Sequence, residues 1–271
     1  MFEELVNPLD TKKLRQKILA NKNYPYFFVD DFLNEDFATK VLGEFPDYDD
    51  ATKLGKTFNA TNEAKKVQVT DSSLFPESIA KLSSLLASDE FIKKISYILD
   101  IPNLVADPSL VGGGIHETSE GGRLDVHVDF NFNDELGMYR RANILIYFNK
   151  EWKREYGGIL DLWDKDVKKC HAEIVPIFNR MACFATSETS YHGVTPIKCP
   201  PGLARKSFAA YYYTKEPPSG WDGKRHSTIF KARPSEWVRG YINMPMQRIS
   251  EKMHVFWVST KQTIKKILGR H

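Results

Sequence analysis

Residues 124–130 read Leu-Asp-Val-His-Val-Asp-Phe, and residues 142–148 read Ala-Asn-Ile-Leu-Ile-Tyr-Phe. Both are short runs rich in β-branched and aromatic side chains, which is how a strand reads. Similar runs follow at 159–163, 172–176, 181–186, 194–197 and 207–213. Gly, Asn, Asp and Pro separate them. Many short strands at close spacing predict a sandwich or a jelly roll over about 104–214. In a strand, residues i and i+2 point to one face, so His127 and Asp129 share a face of the first run.

Before this β-rich stretch the texture is helical, with one early strand at 26–29. Asn34 precedes a segment, 35–45, whose Phe37, Val41, Leu42 and Phe45 fall at helical spacing, and its side chain suits an N-cap. Two more helices are expected at 76–86 and 89–99, the second capped by Ser88. Helices before and strands after predict a mainly β fold with flanking helices on one side. The domain expected is 1–218, with helical support N-terminal to the β core. Residues 219–271 form a separate extension. From 224 to 271 there are eleven Lys or Arg against two Glu, and Ile249, Met253, Phe256, Trp257, Ile264, Ile267 and Leu268 recur near helical spacing. That predicts a basic amphipathic helix, which either packs on the core or meets an anionic partner or membrane surface.

The chain has 271 residues, 42% apolar and 27% charged. This is ordinary globular composition, long enough for one large core. A net charge of +3 gives no argument for nucleic acid. Residues 1–19 mix acids and bases and lack the apolar stretch of a signal peptide. No apolar run is long enough to span a membrane. Cys170, Cys183 and Cys199 make no paired framework, so a reducing, cytoplasmic setting is expected.

His127, Asp129 and, far downstream, His192 supply two imidazoles and a carboxylate. Such a set suits a mononuclear non-haem iron(II) site with open positions; it also suits zinc. An isolated His-x-Asp is a weak signal, and a lone His in a β core is more often structural than a ligand. The order of the surrounding pieces adds weight. Arg205 lies on the strand after His192 and shares a face with Ser207. Tyr147 lies on a strand between the ligand segments and offers a phenol donor. A metal with a guanidinium behind it is a trap for a dicarboxylate. The plainer alternatives are a surface ion pair for Arg205 and a core aromatic for Tyr147.

These pieces together resemble the prolyl-4-hydroxylase-like branch of the iron(II)/2-oxoglutarate-dependent dioxygenases. The matching motifs are HVDFN at 127–131, LIYFNKEW at 145–152, GGILDLWD at 157–164, FNR at 178–180, YHG at 191–193 and RKS at 205–207. The entry segment FFVDDFL at 27–33 is similar as well. The resemblance covers most of 25–215. It implies a double-stranded β-helix, or jelly-roll, core. It implies Fe(2+) bound by His127, Asp129 and His192, with 2-oxoglutarate as cosubstrate, O2 as oxidant and ascorbate as an optional auxiliary. Arg205 would bind the distal carboxylate of 2-oxoglutarate with help from Tyr147. The basic anchor comes later than in many members, whose anchor positions are Pro201 and Gly202 here. An insertion at 199–203 accounts for that, and Lys206, facing the other way, is the weaker candidate. His116 is either a cosubstrate contact or a plain turn residue after the glycines at 112–114. With Asp129 present, hydroxylation is expected rather than halogenation. The implied reaction hydroxylates an unactivated C–H bond and releases succinate and CO2. The substrate is a small metabolite, a sugar, or a carrier- or peptide-bound residue. Arg180, Arg123, Trp163 and Tyr191 are candidates for the pocket rim. The competing readings are a jelly-roll binding module without turnover and a zinc hydrolase, which leaves Arg205 without a role. The oligomeric state is left open.

Overall fold

The computed structural model describes residues 4–21 and 23–236. Its helices are α1 Thr11–Ala20, α2 Glu35–Glu44, α3 Tyr48–Leu54, α4 Glu77–Leu86 and α5 Asp89–Leu99. Its strands are β1 Tyr26–Val29, β2 Lys56–Phe58, β3 Glu63–Val69, β4 Val105–Ala106, β5 Gly114–Val128, β6 Phe132–Asn133, β7 Met138–Tyr147, β8 Leu160–Trp163, β9 Cys170–Ile174, β10 Met181–Ala185, β11 Tyr191–Val194, β12 Ala204–Thr214 and β13 Ile229–Phe230. The expected caps are in place. Asn34 Oδ1 accepts from the Phe37 amide at 2.7 Å, and Ser88 Oγ from the Phe91 amide at 3.3 Å. Each satisfies one of the orphan N–H groups at a helix start.

The strands form one antiparallel sheet in the order β1-β10-β7-β12-β5-β11-β8-β9. Neighbours in space are distant in sequence, the connectivity of a jelly roll. The long strand β5 joins the two halves. Its first part pairs with β12, from Ser119↔Ala204 to Gly114↔Ala209. Its last part pairs with β11, where His127 lies opposite His192. The change of partner falls around Gly121 and Gly122. Gly121 has φ +76, and a Cβ on Gly122 would sit 2.3 Å from Thr118 Cγ2, so both positions need glycine.

Helices α2, α4 and α5 cover one face of the β10-β7-β12 region. Phe91 of α5 packs its ring against Phe32 at 5.8 Å and Tyr212 at 6.4 Å, and Phe75 meets Phe208 at 5.8 Å. Each fully buried phenyl contributes roughly 1.5–3 kcal/mol. The Tyr212 hydroxyl donates to the Leu86 carbonyl, which locks helix α4 to the sheet. The opposite face, with Tyr147, Leu160, Leu162, Ala182 and Phe184, is the barrel interior.

Three expectations need correction. The early region holds not one strand but also the hairpin β2–β3, which pairs with β5 through Val69↔Ile115 and Glu63↔Leu124. Its second strand reads Glu-Ala-Lys-Lys-Val-Gln-Val. Lys66 and Gln68 line a pocket while Val67 and Val69 are buried, so the polar face hides the strand from a hydrophobicity reading. The strand expected at 194–197 lies earlier, at β11, which puts His192 inside it. Residues 219–236, expected to open a helical extension, contain β13 and no helix. The amphipathic stretch 247–268 lies outside the described residues.

Candidate metal centre

Strands β5 and β11 bring His127 and His192 face to face, with ring centroids 4.3 Å apart. Asp129 follows one residue after β5 ends. Its Oδ1 lies 3.4 Å from His127 Nε2 and its Oδ2 3.4 Å from His192 Nε2. All three ligand atoms fall within 4.8 Å of one another. Metal–ligand bonds of roughly 2.0–2.2 Å put neighbouring donors roughly 3 Å apart, so this cradle is close to the size one ion requires.

The hydrogen bonds fix which nitrogens are free. His127 Nδ1 lies 2.9 Å from the Asp125 carbonyl, and His192 Nδ1 lies 2.9 Å from the Ser190 carbonyl. A carbonyl only accepts, so each Nδ1 carries the proton and donates it. Both Nε2 lone pairs are then left toward Asp129, the arrangement a metal needs. Burial, and next the charge of His127, push His192 down to about 4, which keeps it neutral near pH 7. Burial pushes Asp129 up, but Arg140 and then the two imidazoles outweigh it and hold this carboxyl well below the usual range.

Two residues that the sequence reading missed hold Asp129. Asn143 Nδ2 donates to Oδ2 at 2.7 Å, and Arg140 Nη2 lies 3.2 Å from the same oxygen. Arg140 Nε donates to Asn143 Oδ1 at 2.9 Å, and its guanidinium lies 3.6 Å from the Tyr211 ring centroid. The signal available was Arg140 and Asn143 beside Arg141 in a strand that ends in an apolar run; such groups are buried only with partners.

Arg205, expected as the anchor behind the metal position, lines the same pocket as the three donors. Arg205 is buried. Its Nε donates to the Gly158 carbonyl at 2.7 Å and its Nη1 to Ser207 Oγ at 3.3 Å. Its Nη2 and the Tyr147 hydroxyl are both buried without a hydrogen-bond partner among the described residues. The guanidinium sits 4.9 Å from the Tyr147 ring centroid. Burial lowers the Arg205 pKa and raises that of Tyr147. Two orphaned donors side by side call for an acceptor, and a carboxylate supplies one. Gly158 makes room: its φ is +64, and a Cβ there would lie 2.9 Å from Arg205 Cδ. Lys206 turns outward to the Pro46 carbonyl.

Arg205, His127, Asp129 and His192 line one pocket of about 190 Å³, together with His116, Arg123, Phe58 and Phe230. His116 Nε2 bonds the Gly112 carbonyl at 3.0 Å. Burial, then Lys66 and Arg205, lower its pKa well below the ordinary value, so it offers a neutral ring. Arg123 stands at the wall, donating to the Thr61 carbonyl at 3.0 Å. Arg180, Trp163 and Tyr191 do not line it. Arg180 binds Asp30 through two nitrogens, at 2.5 and 2.9 Å, and also the Val175 carbonyl. Tyr191 neighbours His192 on β11, so alternation turns it to the opposite face, where its strand partner Trp163 joins it against Val126, Val128 and Val167.

Residues 113–213 match the family described as the 2OG-Fe(II) oxygenase superfamily. Prolyl 3-hydroxylase OGFOD1 of Mus musculus is 31% identical over 85 residues, which cover 30% of this chain and 15% of that protein. The chain thus spans a minor part of that curated relative. Among solved structures, a prolyl hydroxylase from Trichoplax adhaerens, bound to a peptide fragment of the hypoxia inducible factor oxygen degradation domain, aligns with TM-score 0.55 and 19% identity. The alignment covers 75% of this chain and 90% of that one. A Pseudomonas putida prolyl-4-hydroxylase aligns with TM-score 0.53 and 16% identity, over 75% and 100%. Both likenesses are of fold.

Proposed function

We propose, from the match of residues 113–213 to the 2OG-Fe(II) oxygenase superfamily, that the chain hydroxylates an unactivated C–H bond of a residue presented by a peptide or protein. One oxygen atom of O2 enters the product and the other enters succinate as 2-oxoglutarate loses CO2. His127, Asp129 and His192 would hold the iron. Arg205, flanked by Ser207 and Tyr147, would take the distal carboxylate of 2-oxoglutarate, and His116 would line the cosubstrate space. Bound iron supplies the oxidising chemistry. The protein's own part is to keep both Nε2 atoms unprotonated, hold Asp129 ionised through Arg140 and Asn143, and orient the dicarboxylate by charge.

The observation that carries this reading is the pairing of a three-donor cradle with an orphaned guanidinium nitrogen beside the same pocket. A tethered substrate is supported by size. The pocket, about 190 Å³, is smaller than the roughly 300–1,000 Å³ of sites that enclose a whole small molecule. The activity named for the Mus musculus relative points the same way.

The test is iron-dependent release of succinate from 2-oxoglutarate, first alone and then with peptide panels. Wild-type protein is expected to release it, and His127→Ala and Asp129→Ala to lose the activity. A protein that binds iron yet never decarboxylates 2-oxoglutarate would be a binding module instead.

A further inference from the structure

The family match ends at residue 213, yet the pocket does not. After β12 the chain doubles back as a strap, 221–233, across the strands that carry the three donors. Its first clamp is polar. Asn131 Nδ2 donates to the Lys224 carbonyl at 2.8 Å and to Glu188 Oε1 at 2.9 Å. His226 Nε2 meets Glu188 Oε2 at 2.6 Å, and the His226 amide donates to Asn131 Oδ1 at 3.0 Å. The second clamp is a buried ion pair: Arg233 Nε and Nη2 bind the two oxygens of Asp161 at 2.6 and 3.0 Å. This pair fills the space beside Gly193, the residue after His192. A Cβ on Gly193 would lie 2.6 Å from Arg233 Nη2 and 3.0 Å from Asp161 Oδ1.

Between the clamps runs β13, paired with β5 through Ile229↔Val128 and Phe230↔His127. The Lys231 amide continues the ladder to the Val126 carbonyl at 2.8 Å. Alternation along this short strand turns Ile229 out to solvent, while Thr228 and Phe230 line the pocket. The Phe230 ring stands 5.5 Å from the His127 ring, centroid to centroid. A wall held at both ends yields little to a ligand that does not fit, and such rigidity is what selectivity by exclusion requires.

The geometry points to Phe230 as a specificity-determining residue: the strap sets how wide a group can reach the metal position, admitting a slender aliphatic group and excluding one that carries an aromatic ring. This rests on the metal and cosubstrate reading above. It assigns a function to a segment beyond the matched family stretch, and Arg233 becomes the positioning residue that keeps the wall in place.

The experiment uses the full chain loaded with cobalt(II), whose visible spectrum reports what binds the ion, in saturating 2-oxoglutarate. Imidazole and 4-phenylimidazole are titrated in turn. Wild-type protein is expected to bind the phenyl-bearing probe about tenfold or more weakly than imidazole. Phe230→Ala should bring the two affinities together, and Phe230→Trp should widen the gap. Phe28→Ala, an exposed ring that does not line the pocket, should behave as wild type. An unchanged ratio in Phe230→Ala overturns the proposal and leaves the metal reading standing. A wild-type protein that binds both probes equally overturns it as well. If no cobalt spectrum develops, the metal reading fails and this proposal falls with it.

Discussion

Replacing Arg205 with Met should have two effects of different kind. In the protein without 2-oxoglutarate, the buried guanidinium pairs with no carboxylate among the described residues, and one of its nitrogens has no partner among them. A buried charge without a counter-charge carries an uncompensated desolvation cost, so an apolar side chain of similar volume in its place should be neutral or stabilising. Losing the bond to the Gly158 carbonyl offsets part of the gain, by about 1–3 kcal/mol. The unliganded variant should therefore melt at a temperature equal to or slightly above that of the wild type. Binding should suffer. A charge-assisted hydrogen bond contributes roughly 1.5–3 kcal/mol, which is about 10–150-fold in affinity. At 2-oxoglutarate one hundred times the wild-type Kd, ligand binding stabilises the wild type by about 2.7 kcal/mol. A variant bound one hundredfold more weakly gains about 0.4 kcal/mol at the same concentration. For a chain of this size each kcal/mol moves Tm by about 2–4 °C, so a shift of roughly 5–10 °C shrinks to about 1 °C. The assay is thermal unfolding of nickel(II)-loaded protein with and without 2-oxoglutarate. A variant that keeps the full ligand-induced shift, or that loses several kcal/mol without ligand, would refute the assignment of Arg205 as an anion anchor.

Other outcomes follow from the same geometry. Asn143→Leu removes the 2.7 Å bond to Asp129 and should weaken metal affinity by about 10–100-fold in a competition titration, with little change in fold. Arg233→Gln leaves Asp161 buried without its cation and should cost about 3–5 kcal/mol in chemical denaturation; a loss under 1 kcal/mol would mean that the strap is not clamped there. Glu117 is buried, both its oxygens lack partners among the described residues, and burial, offset in part by Lys206, raises it from 4.5 to about 8. Below about pH 4.5 it is protonated in both folded and unfolded chains. As pH rises toward 8 the unfolded chain loses the proton first, so stability falls across that window. Glu117→Gln should remove this fall, stabilising the protein by on the order of a few kcal/mol at pH 9 and not at all at pH 4; equal Tm differences at both pH values would contradict it.

Much of the core could be read from local pattern, because hydrophobic period and capping residues act over a few positions. Asn34 and Ser88 start their helices as expected, and Phe91, Ile95 and Ile98 mark a buried stripe. His127, Asp129, His192 and Arg205 could be singled out because imidazole and charged side chains stand out in a β-rich stretch and their order is informative. What failed to show needed long-range information. Arg140 and Asn143 are defined by a carboxylate at position 129 and a tyrosine at 211, and nothing near them in sequence announces either. The strap is short and polar, and its meaning lies in Asp161 and Glu188, to which it is bound. Arg180 looked like a pocket residue by type alone, but Asp30, 150 residues earlier, takes its charge. Tyr191 was misplaced because the neighbour of a ligand on a strand faces away from it, and Trp163 shares that face as its cross-strand partner.

The most direct measurement is an anomalous diffraction map from crystals grown with manganese(II) and 2-oxoglutarate. A single peak should lie roughly 2.0–2.2 Å from His127 Nε2, His192 Nε2 and one Asp129 oxygen, with the distal carboxylate of 2-oxoglutarate on Arg205. A peak held by other residues, or a 2-oxoglutarate whose far end avoids that guanidinium, would contradict the account.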